Sequence, residues 1–217
     1  MSDGIEKKYT YFALGDSYTI GESVLPEENF PSQAVALLNT TAVGPDGRRQ
    51  GFAEPQIIAK TGWTTDELDS AIDAANISTT FDIVSLLIGV NNQYRGRSVS
   101  EYKTQFDHLL QRAIHFSGNK TKHVFVLSIP DWGVTPFADG QDRQKIATGI
   151  DAYNANAQKI CEQHNVVFID ITASQRVDGN KKEFLAADGL HPSGKEYAKW
   201  AEKLAKAIKA SAPIPSR

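Results

Sequence analysis

Three residues near the two ends of the chain are of the types that carry out acyl transfer. Ser17 follows directly on an apolar run, in the segment Gly-Asp-Ser-Tyr, so it could be an exposed nucleophile on a tight turn. Asp188 and His191 lie three positions apart in Asp-Gly-Leu-His, which lets the carboxylate bend back and orient the imidazole. Taken alone, each motif is also typical of an ordinary turn, because Ser and Asp commonly follow strands.

Two further segments could supply hydrogen-bond donors to an oxyanion. Gly62 lies two residues before Thr64, and Thr64 with Glu67 matches a capping box, so we expect a helix to begin there. A helix start offers free N–H groups and a positive dipole, although the glycine could equally supply only the positive φ of a turn. Asn91, in Gly-Val-Asn-Asn, carries a side-chain amide that can complete an oxyanion hole, but asparagines after a strand are also common turn-formers.

These motifs lie between segments that alternate strand and helix patterns. Short β-branched or aromatic runs predict five strands, at Tyr9–Leu14, Gln56–Ala59, Ile83–Ile88, His123–Ile129 and Val166–Ile171. Helical periodicity predicts helices at about Phe30–Leu38, Gln141–His164 and Ser193–Ala210, and one with Val99 and Ile114 on its apolar face. A Ser193/Glu196 capping box is expected to start the last helix. The alternation predicts an α/β fold, a three-layer α/β/α sandwich around a flavodoxin-like parallel five-stranded sheet.

The predicted sheet explains how distant residues could form one site. In such sheets the ligand crevice lies beyond the carboxyl ends of the strands, which is where each of the motifs above is found. The nucleophile, its base, the residue that orients the base and the oxyanion donors therefore meet at one edge, although Ser17 and His191 are near opposite ends of the chain. Acyl transfer needs these parts and no other, so we expect neither a cofactor nor a metal.

At these residues the sequence resembles the SGNH/GDSL hydrolases. The four marker residues of that family map, in the family's order, to Ser17, Gly62, Asn91 and His191. The resemblance runs from about residue 11 to residue 197 and implies a single domain of the SGNH hydrolase fold over residues 1–217. It also implies an oxyanion hole formed by the backbone N–H groups of Ser17 and Gly62 and the side-chain amide of Asn91.

The sequence departs from the family's pattern at two positions. Tyr18 replaces the usual leucine after the nucleophile, and Asn92 replaces the usual aspartate after the oxyanion asparagine. Asparagine is nearly isosteric with aspartate but neutral, so a hydrogen bond accepted there can be kept while a charge is lost. Neither change affects a marker residue, so they bear on fine positioning and substrate range.

Aromatic residues close to the motifs could form the walls of a substrate pocket. The candidates are Tyr18, Trp63, Tyr94, Trp132 and Phe137. For each of them, ordinary packing is an equally open interpretation. Arg95 is interpreted as a solvated arginine, with contact to an anionic head group as the alternative.

Composition narrows the class of protein. The chain has 217 residues and a net charge of −3 without a basic block, which argues against nucleic-acid binding and against polybasic membrane binding. A single cysteine, Cys161, excludes an internal disulfide and a cysteine-rich zinc site. The longest apolar stretch, residues 83–90, is too short to span a bilayer, so no stable membrane insertion is expected. As written the sequence predicts a cytoplasmic protein, or a periplasmic or secreted one if an export signal was removed.

The residues and the resemblance together predict a serine esterase. It would cleave small-molecule carboxylic esters of small or medium acyl groups through an acyl-enzyme formed by Ser17, His191 and Asp188. Alternatives with the same mechanism are a lysophospholipase or thioesterase and a carbohydrate O-deacetylase. An alternative of another class is a non-catalytic flavodoxin-like module that binds a nucleotide or flavin, which would leave these three residues unexplained. The sequence leaves the oligomeric state open.

Overall fold

A computed structural model describes residues 5–39 and 49–211 of the chain. In this part the strands are β1 (Ile5–Tyr9), β2 (Tyr11–Asp16), β3 (Arg49–Phe52), β4 (Gln56–Lys60), β5 (Ile83–Leu87), β6 (Val124–Leu127) and β7 (Val167–Ile169). The α-helices are α1 (Ser17–Ile20), α2 (Phe30–Asn39), α3 (Thr65–Ala75), α4 (Val90–Tyr94), α5 (Val99–Phe116), α6 (Arg143–Gln163), α7 (Thr172–Asp178) and α8 (Gly194–Ser211). Two short 3₁₀ turns, Trp132–Val134 and Pro136–Ala138, follow β6.

The central sheet contains five parallel strands in the order β4-β2-β5-β6-β7. This order confirms the predicted flavodoxin-like sheet, because the first of the five predicted strands lies between the second and the third. Every residue of β2, β5 and β6 is buried, as expected of parallel strands covered on both faces. Helices α2 and α8 pack against each other, as do α5 and its neighbours α3 and α6, so helices flank the sheet.

The packing of α8 against α2 supports the segment that carries Ser17. Trp200 of α8 is fully buried, and its ring lies 6.3 Å from that of Phe30 in α2 and 6.3 Å from that of Tyr18 in α1. Burying an aromatic ring of this size removes a large apolar area from water, which fixes the helix on the sheet. The residue after the candidate nucleophile is thereby anchored in the core.

The structure differs from the predicted elements in several places. The predicted strand Tyr9–Leu14 is divided at Thr10, whose N–H and hydroxyl both donate to the Asp82 carboxylate, at 2.9 and 3.1 Å. Tyr9 instead ends β1, which pairs in parallel with β3 as a separate two-stranded sheet. The short helices α1, α4 and α7 were not expected, because four to seven residues are too few to show helical periodicity.

The predicted Ser193/Glu196 capping box is wrong. Ser193 Oγ donates to the carbonyl oxygen of Glu183 at 2.7 Å. The buried carboxylate of Glu196 accepts hydrogen bonds from Lys199 Nζ at 2.8 Å and from Trp200 Nε1 at 3.1 Å. The backbone N–H of Ser193, which a capping box would direct to Glu196, donates instead to the Phe184 carbonyl at 3.0 Å, and the partners of Glu196 lie within α8 itself.

No helix within the described ranges has the length and apolar character needed to cross a membrane.

Candidate active site

Ser17 lies at the junction of a strand and a helix at the carboxyl edge of the sheet. Strand β2 ends at Asp16, and Ser17 is the first residue of α1 rather than a loop residue. Asp16 caps this one-turn helix, because its Oδ1 accepts the N–H of Tyr18 at 3.0 Å. The N–H of Ser17 lies in the first turn of α1, where helical N–H groups have no partner within the helix.

His191 and Asp188 reach Ser17 from the loop before α8. Nε2 of His191 lies 2.9 Å from Ser17 Oγ, and its Nδ1 lies 2.7 Å from Asp188 Oδ2. The other carboxylate oxygen, Oδ1, accepts the backbone N–H groups of Leu190 and His191, both at 2.9 Å. The three-residue spacing thus folds into a tight turn that holds the carboxylate against its own histidine, as the sequence predicts.

The Asp188 carboxylate is held in its charged form. Partial burial acts to raise its pKa, but hydrogen bonds from the His191 ring, from the two backbone N–H groups and from the Ser23 hydroxyl outweigh it and lower the pKa to about 2. An ionised carboxylate can only accept hydrogen bonds. Nδ1 of His191 must therefore be the protonated ring nitrogen, which leaves Nε2 of the neutral ring free to accept the proton of Ser17.

Gly62 occupies a tight turn between β4 and α3. Trp63 N–H donates to the Lys60 carbonyl at 3.2 Å, and Gly62 at the third position of this turn has φ +83°. Only a residue without a Cβ adopts that conformation at no steric cost. The predicted capping box follows, with the Thr64 N–H donating to the Glu67 carboxylate at 2.8 Å, and α3 begins at Thr65 as expected.

Asn91 lies on α4, directly after β5. Gly89 caps this helix with φ +128°, and a Cβ there would lie 2.5 Å from the ring of Tyr102, so the glycine of Gly-Val-Asn-Asn is required on both grounds. Nδ2 of Asn91 donates to the carbonyl oxygen of Trp63 at 3.0 Å and lies 3.5 Å from Asp16 Oδ2. These contacts of the Asn91 amide connect the turn at Gly62 to the start of α1.

Asp16 carries a strongly perturbed carboxyl group beside this junction. Complete burial raises its pKa to about 7, against the opposing effect of hydrogen bonds from backbone N–H groups, including that of Tyr18, and from the Asn91 amide. Near neutral pH the group therefore exists as a mixture of its charged and neutral forms.

Asn92, one of the two departures from the family's pattern, is a structural residue. Its Oδ1 accepts the N–H of Thr65 at 3.1 Å and its Nδ2 donates to Thr65 Oγ1 at 2.7 Å. The Thr65 hydroxyl in turn donates a hydrogen bond to Gln105 Oε1. Asn92 therefore accepts a hydrogen bond, as expected. Its amide nitrogen also donates one, which an ionised aspartate could not do.

Arg95 has a role that sequence reasoning missed. Its Nη2 donates to the carbonyl oxygen of Gly62 at 2.6 Å, and its Nη1 lies 3.4 Å from Glu67. The arginine therefore braces the Gly62 turn and is not simply solvated. No periodicity or motif marks the residue, and the only signal was its nearness to Asn91 in the sequence.

A cavity of about 140 Å³ opens beside Ser17 and His191. Its remaining lining is mostly apolar and comprises Tyr18, Thr61, Gly62, Val90, Asn91, Tyr94, Trp132, Phe137 and Leu190. The rings of Tyr94, Trp132 and Phe137 contact one another, with centroids 5.2 to 6.1 Å apart. Trp63, also expected at the pocket, does not line it; its side chain packs against the core, and it contributes its backbone carbonyl to Asn91.

The arrangement combines a serine hydroxyl, an imidazole ring, an ionised carboxylate and nearby N–H groups around a mostly apolar cavity. This is the set of groups that acyl transfer requires. Across residues 5–39 and 49–211, no three His, Cys, Asp or Glu side chains are grouped so as to hold a metal ion.

Residues 13–199 match the model of the GDSL-like lipase/acylhydrolase family. Among curated protein sequences, none matches the chain.

Solved structures share the fold at low sequence identity. The acetylxylan esterase from Geobacillus stearothermophilus is 19% identical over 100% of both chains, with a TM-score of 0.66. The lipase/acylhydrolase from Enterococcus faecalis is 21% identical over 93% of this chain and 96% of its own, also with a TM-score of 0.66. The psychrotrophic esterase EstA from Pseudoalteromonas sp. is 16% identical over 94% of this chain and 98% of its own, with a TM-score of 0.65.

Proposed function

The chain belongs to the GDSL-like lipase/acylhydrolase family, and we propose that it is a serine esterase that cleaves carboxylic esters of small acyl groups. The observation that carries the proposal is the continuous line of hydrogen bonds from Ser17 Oγ through His191 to Asp188, at 2.9 and 2.7 Å. A binding module would have no use for a hydroxyl, an imidazole and an ionised carboxylate in this alignment.

In the acylation step Ser17 Oγ attacks the carbonyl carbon of the ester. The hydroxyl proton moves to Nε2 of His191 as the bond forms, and the electron pair of the C=O bond moves onto the oxygen. Asp188 stabilises the resulting imidazolium through Nδ1–H and keeps the ring in the tautomer that can accept the proton. Collapse of the tetrahedral intermediate breaks the C–O bond to the alcohol, which leaves with the proton from His191.

The negative charge on the tetrahedral oxygen needs fixed donors. We assign this role to the N–H groups of Ser17 and Gly62 and to the amide of Asn91. One N–H of the Asn91 amide donates to the Trp63 carbonyl at 3.0 Å and orients the group, and the other, whose contact with Asp16 Oδ2 is long at 3.5 Å, is the donor that we assign to the oxyanion. Such donors act without reorganisation, because the backbone and the Trp63 carbonyl already hold them in place.

Deacylation repeats these steps with water as the nucleophile. His191 takes a proton from the water as it attacks the acyl-Ser17 carbonyl and returns that proton to Ser17 Oγ when the acid leaves. The apolar lining of the cavity suits an acyl group, and the volume of the cavity indicates how large that group can be. A cavity of about 150 Å³ is large enough for benzene, so this one of about 140 Å³ favours acetyl and other short acyl groups.

The test is a substrate panel of p-nitrophenyl acetate, butyrate and decanoate together with an acetylated sugar. We expect the acetate and butyrate esters to give the highest kcat/KM, and the Ser17→Ala variant to lose turnover and labelling by a serine-reactive organophosphonate. Hydrolysis of the acetylated sugar at a similar rate would identify a carbohydrate O-deacetylase, for which the small cavity is the supporting observation.

A preference for the decanoate ester would overturn the assignment to short acyl groups and favour a lysophospholipase or thioesterase. A parent protein that neither hydrolyses any ester nor reacts with the organophosphonate would favour the non-catalytic binding module.

A further inference from the structure

Ser23 has a backbone conformation that serine seldom adopts. Its φ is +66°, in the left-handed region that favours glycine. Such conformations cost free energy, persist only where the surrounding structure holds them, and are concentrated at functional sites. Here the exposed side chain has a specific partner, because Ser23 Oγ donates to Asp188 Oδ2 at 2.8 Å.

The backbone ties this turn to the helix that carries the nucleophile. The carbonyl oxygen of Ser17 accepts the N–H of Gly21 at 3.1 Å and that of Glu22 at 3.0 Å. The next turn is closed by the N–H of Val24, which donates to the Gly21 carbonyl at 3.2 Å. Ser23 is thus held at a fixed distance from Ser17 within one short, hydrogen-bonded segment.

We infer that Ser23 is a positioning residue, whose hydroxyl holds Asp188 Oδ2 in line with Nδ1 of His191. Residues 17–24 then contact the histidine–aspartate pair at both ends. Ser17 Oγ is hydrogen-bonded to Nε2 of His191, and Ser23 Oγ donates to the Asp188 carboxylate. Oδ1 is already occupied by two backbone N–H groups, so the Ser23 hydroxyl completes the set of donors around the carboxylate. The kinetic consequence of this inference rests on the proposed function.

Two substitutions separate the hydroxyl from the backbone strain. Ser23→Ala removes the hydroxyl and keeps a Cβ at positive φ, whereas Ser23→Gly removes both the hydroxyl and the strain. We expect both variants to lower kcat for p-nitrophenyl acetate about threefold to tenfold with little change in KM, because a hydrogen bond to a charged group is lost at an exposed position. The control is Asn119→Ala, at another left-handed residue with φ +63°, in the turn after α5. It should keep the parent kcat.

The decisive measurement is the low-field proton NMR resonance of the His191 Nδ1–H···Asp188 hydrogen bond, which does not require turnover. We expect this resonance to shift or broaden in both Ser23 variants and to stay unchanged in Asn119→Ala. An unchanged resonance and kcat in Ser23→Ala would overturn the inference. So would a loss in Ser23→Ala that is absent in Ser23→Gly, since the backbone and not the hydroxyl would then matter. If the parent hydrolyses no ester, the proposed function fails while the resonance still decides the role of Ser23.

Discussion

The side-chain amide of Asn91 donates to the backbone carbonyl of Trp63 at 3.0 Å and so joins the helix after β5 to the turn after β4. Two donors that we assign to the oxyanion, the Gly62 N–H and the Asn91 amide, are therefore fixed relative to each other before any substrate binds. The oxyanion hole that we propose therefore lies at the carboxyl ends of three adjacent strands, because β4 and β5 both pair with β2, and Ser17 directly follows β2.

Replacing Asn91 tests the oxyanion assignment. We expect Asn91→Ala to lower kcat about a hundredfold or more with little change in KM, since removing one oxyanion donor costs about 2.7–4 kcal/mol of transition-state stabilisation. Steady-state kinetics with p-nitrophenyl acetate measure the effect. The matched control is Asn154→Ala, because that amide also bridges two elements, with Oδ1 2.8 Å from the Ile129 N–H, but does not line the cavity. Parent-like turnover in Asn91→Ala would remove this residue from the mechanism.

Replacing Arg95 tests the brace on the Gly62 turn. We expect Arg95→Gln to lower kcat about threefold to tenfold, because the Gly62 carbonyl loses its donor at 2.6 Å and the turn loosens. The melting temperature should change little, since exposed ion pairs contribute about 0–1 kcal/mol. Arg97→Gln is the control, because that guanidinium pairs with Asp66 and Glu101 and not with the turn. Equal kcat values in the two variants would mean that the brace has no catalytic consequence.

Asn92→Asp introduces the residue that is usual in the family. We expect this substitution to destabilise the folded chain by about 1–3 kcal/mol. It places a carboxylate in a fully buried position and removes the amide that donates to Thr65 Oγ1 at 2.7 Å. Urea unfolding at pH 7 measures the change. Asn156→Asp, which affects a half-buried amide on α6 bonded to the Ala152 carbonyl, should be milder. A variant at position 92 as stable as the parent would show that Thr65 and Gln105 re-pair without cost.

The raised pKa of Asp16 predicts a specific pH dependence of stability. In the unfolded chain an aspartate loses its proton near pH 3.9, whereas burial holds the pKa of folded Asp16 at about 7. Between these values the folded state binds more protons than the unfolded state, so this residue makes stability fall as the pH rises from about 4 to about 7. Asp16→Asn removes that contribution.

Urea unfolding of the parent and of Asp16→Asn at several pH values from 4 to 8 tests this. We expect the free energy of unfolding of Asp16→Asn, relative to the parent, to increase steadily with pH and to level off above about pH 7. A difference that stays constant across this range would mean that the carboxyl group does not bind its proton more tightly in the folded protein.

Local patterns were enough to predict the main features of the fold and the proximity of Asp188 to His191. Strand–helix alternation predicted the five parallel strands and their order, and the Thr64/Glu67 capping box correctly marked the start of α3. The Asp188–His191 pair was visible because a three-residue turn brings the two side chains together regardless of the rest of the chain. The side-chain pairing at the start of the last helix was less predictable, since Ser193 bonds to Glu183 and Glu196 bonds to Lys199 and Trp200 within α8, in preference to each other.

The sequence by itself therefore determined which residues could do the chemistry, because motifs of three to five residues encode turns, caps and nucleophile positions locally. Only the tertiary structure decided what holds those residues in place. Ser23 meets Asp188 across 165 positions and Arg95 meets Gly62 across 33, and neither residue belongs to a periodic or capping pattern. Such contacts depend on which strand ends are neighbours in the folded sheet, and that proximity arises only once the strands have paired and the helices have packed on them.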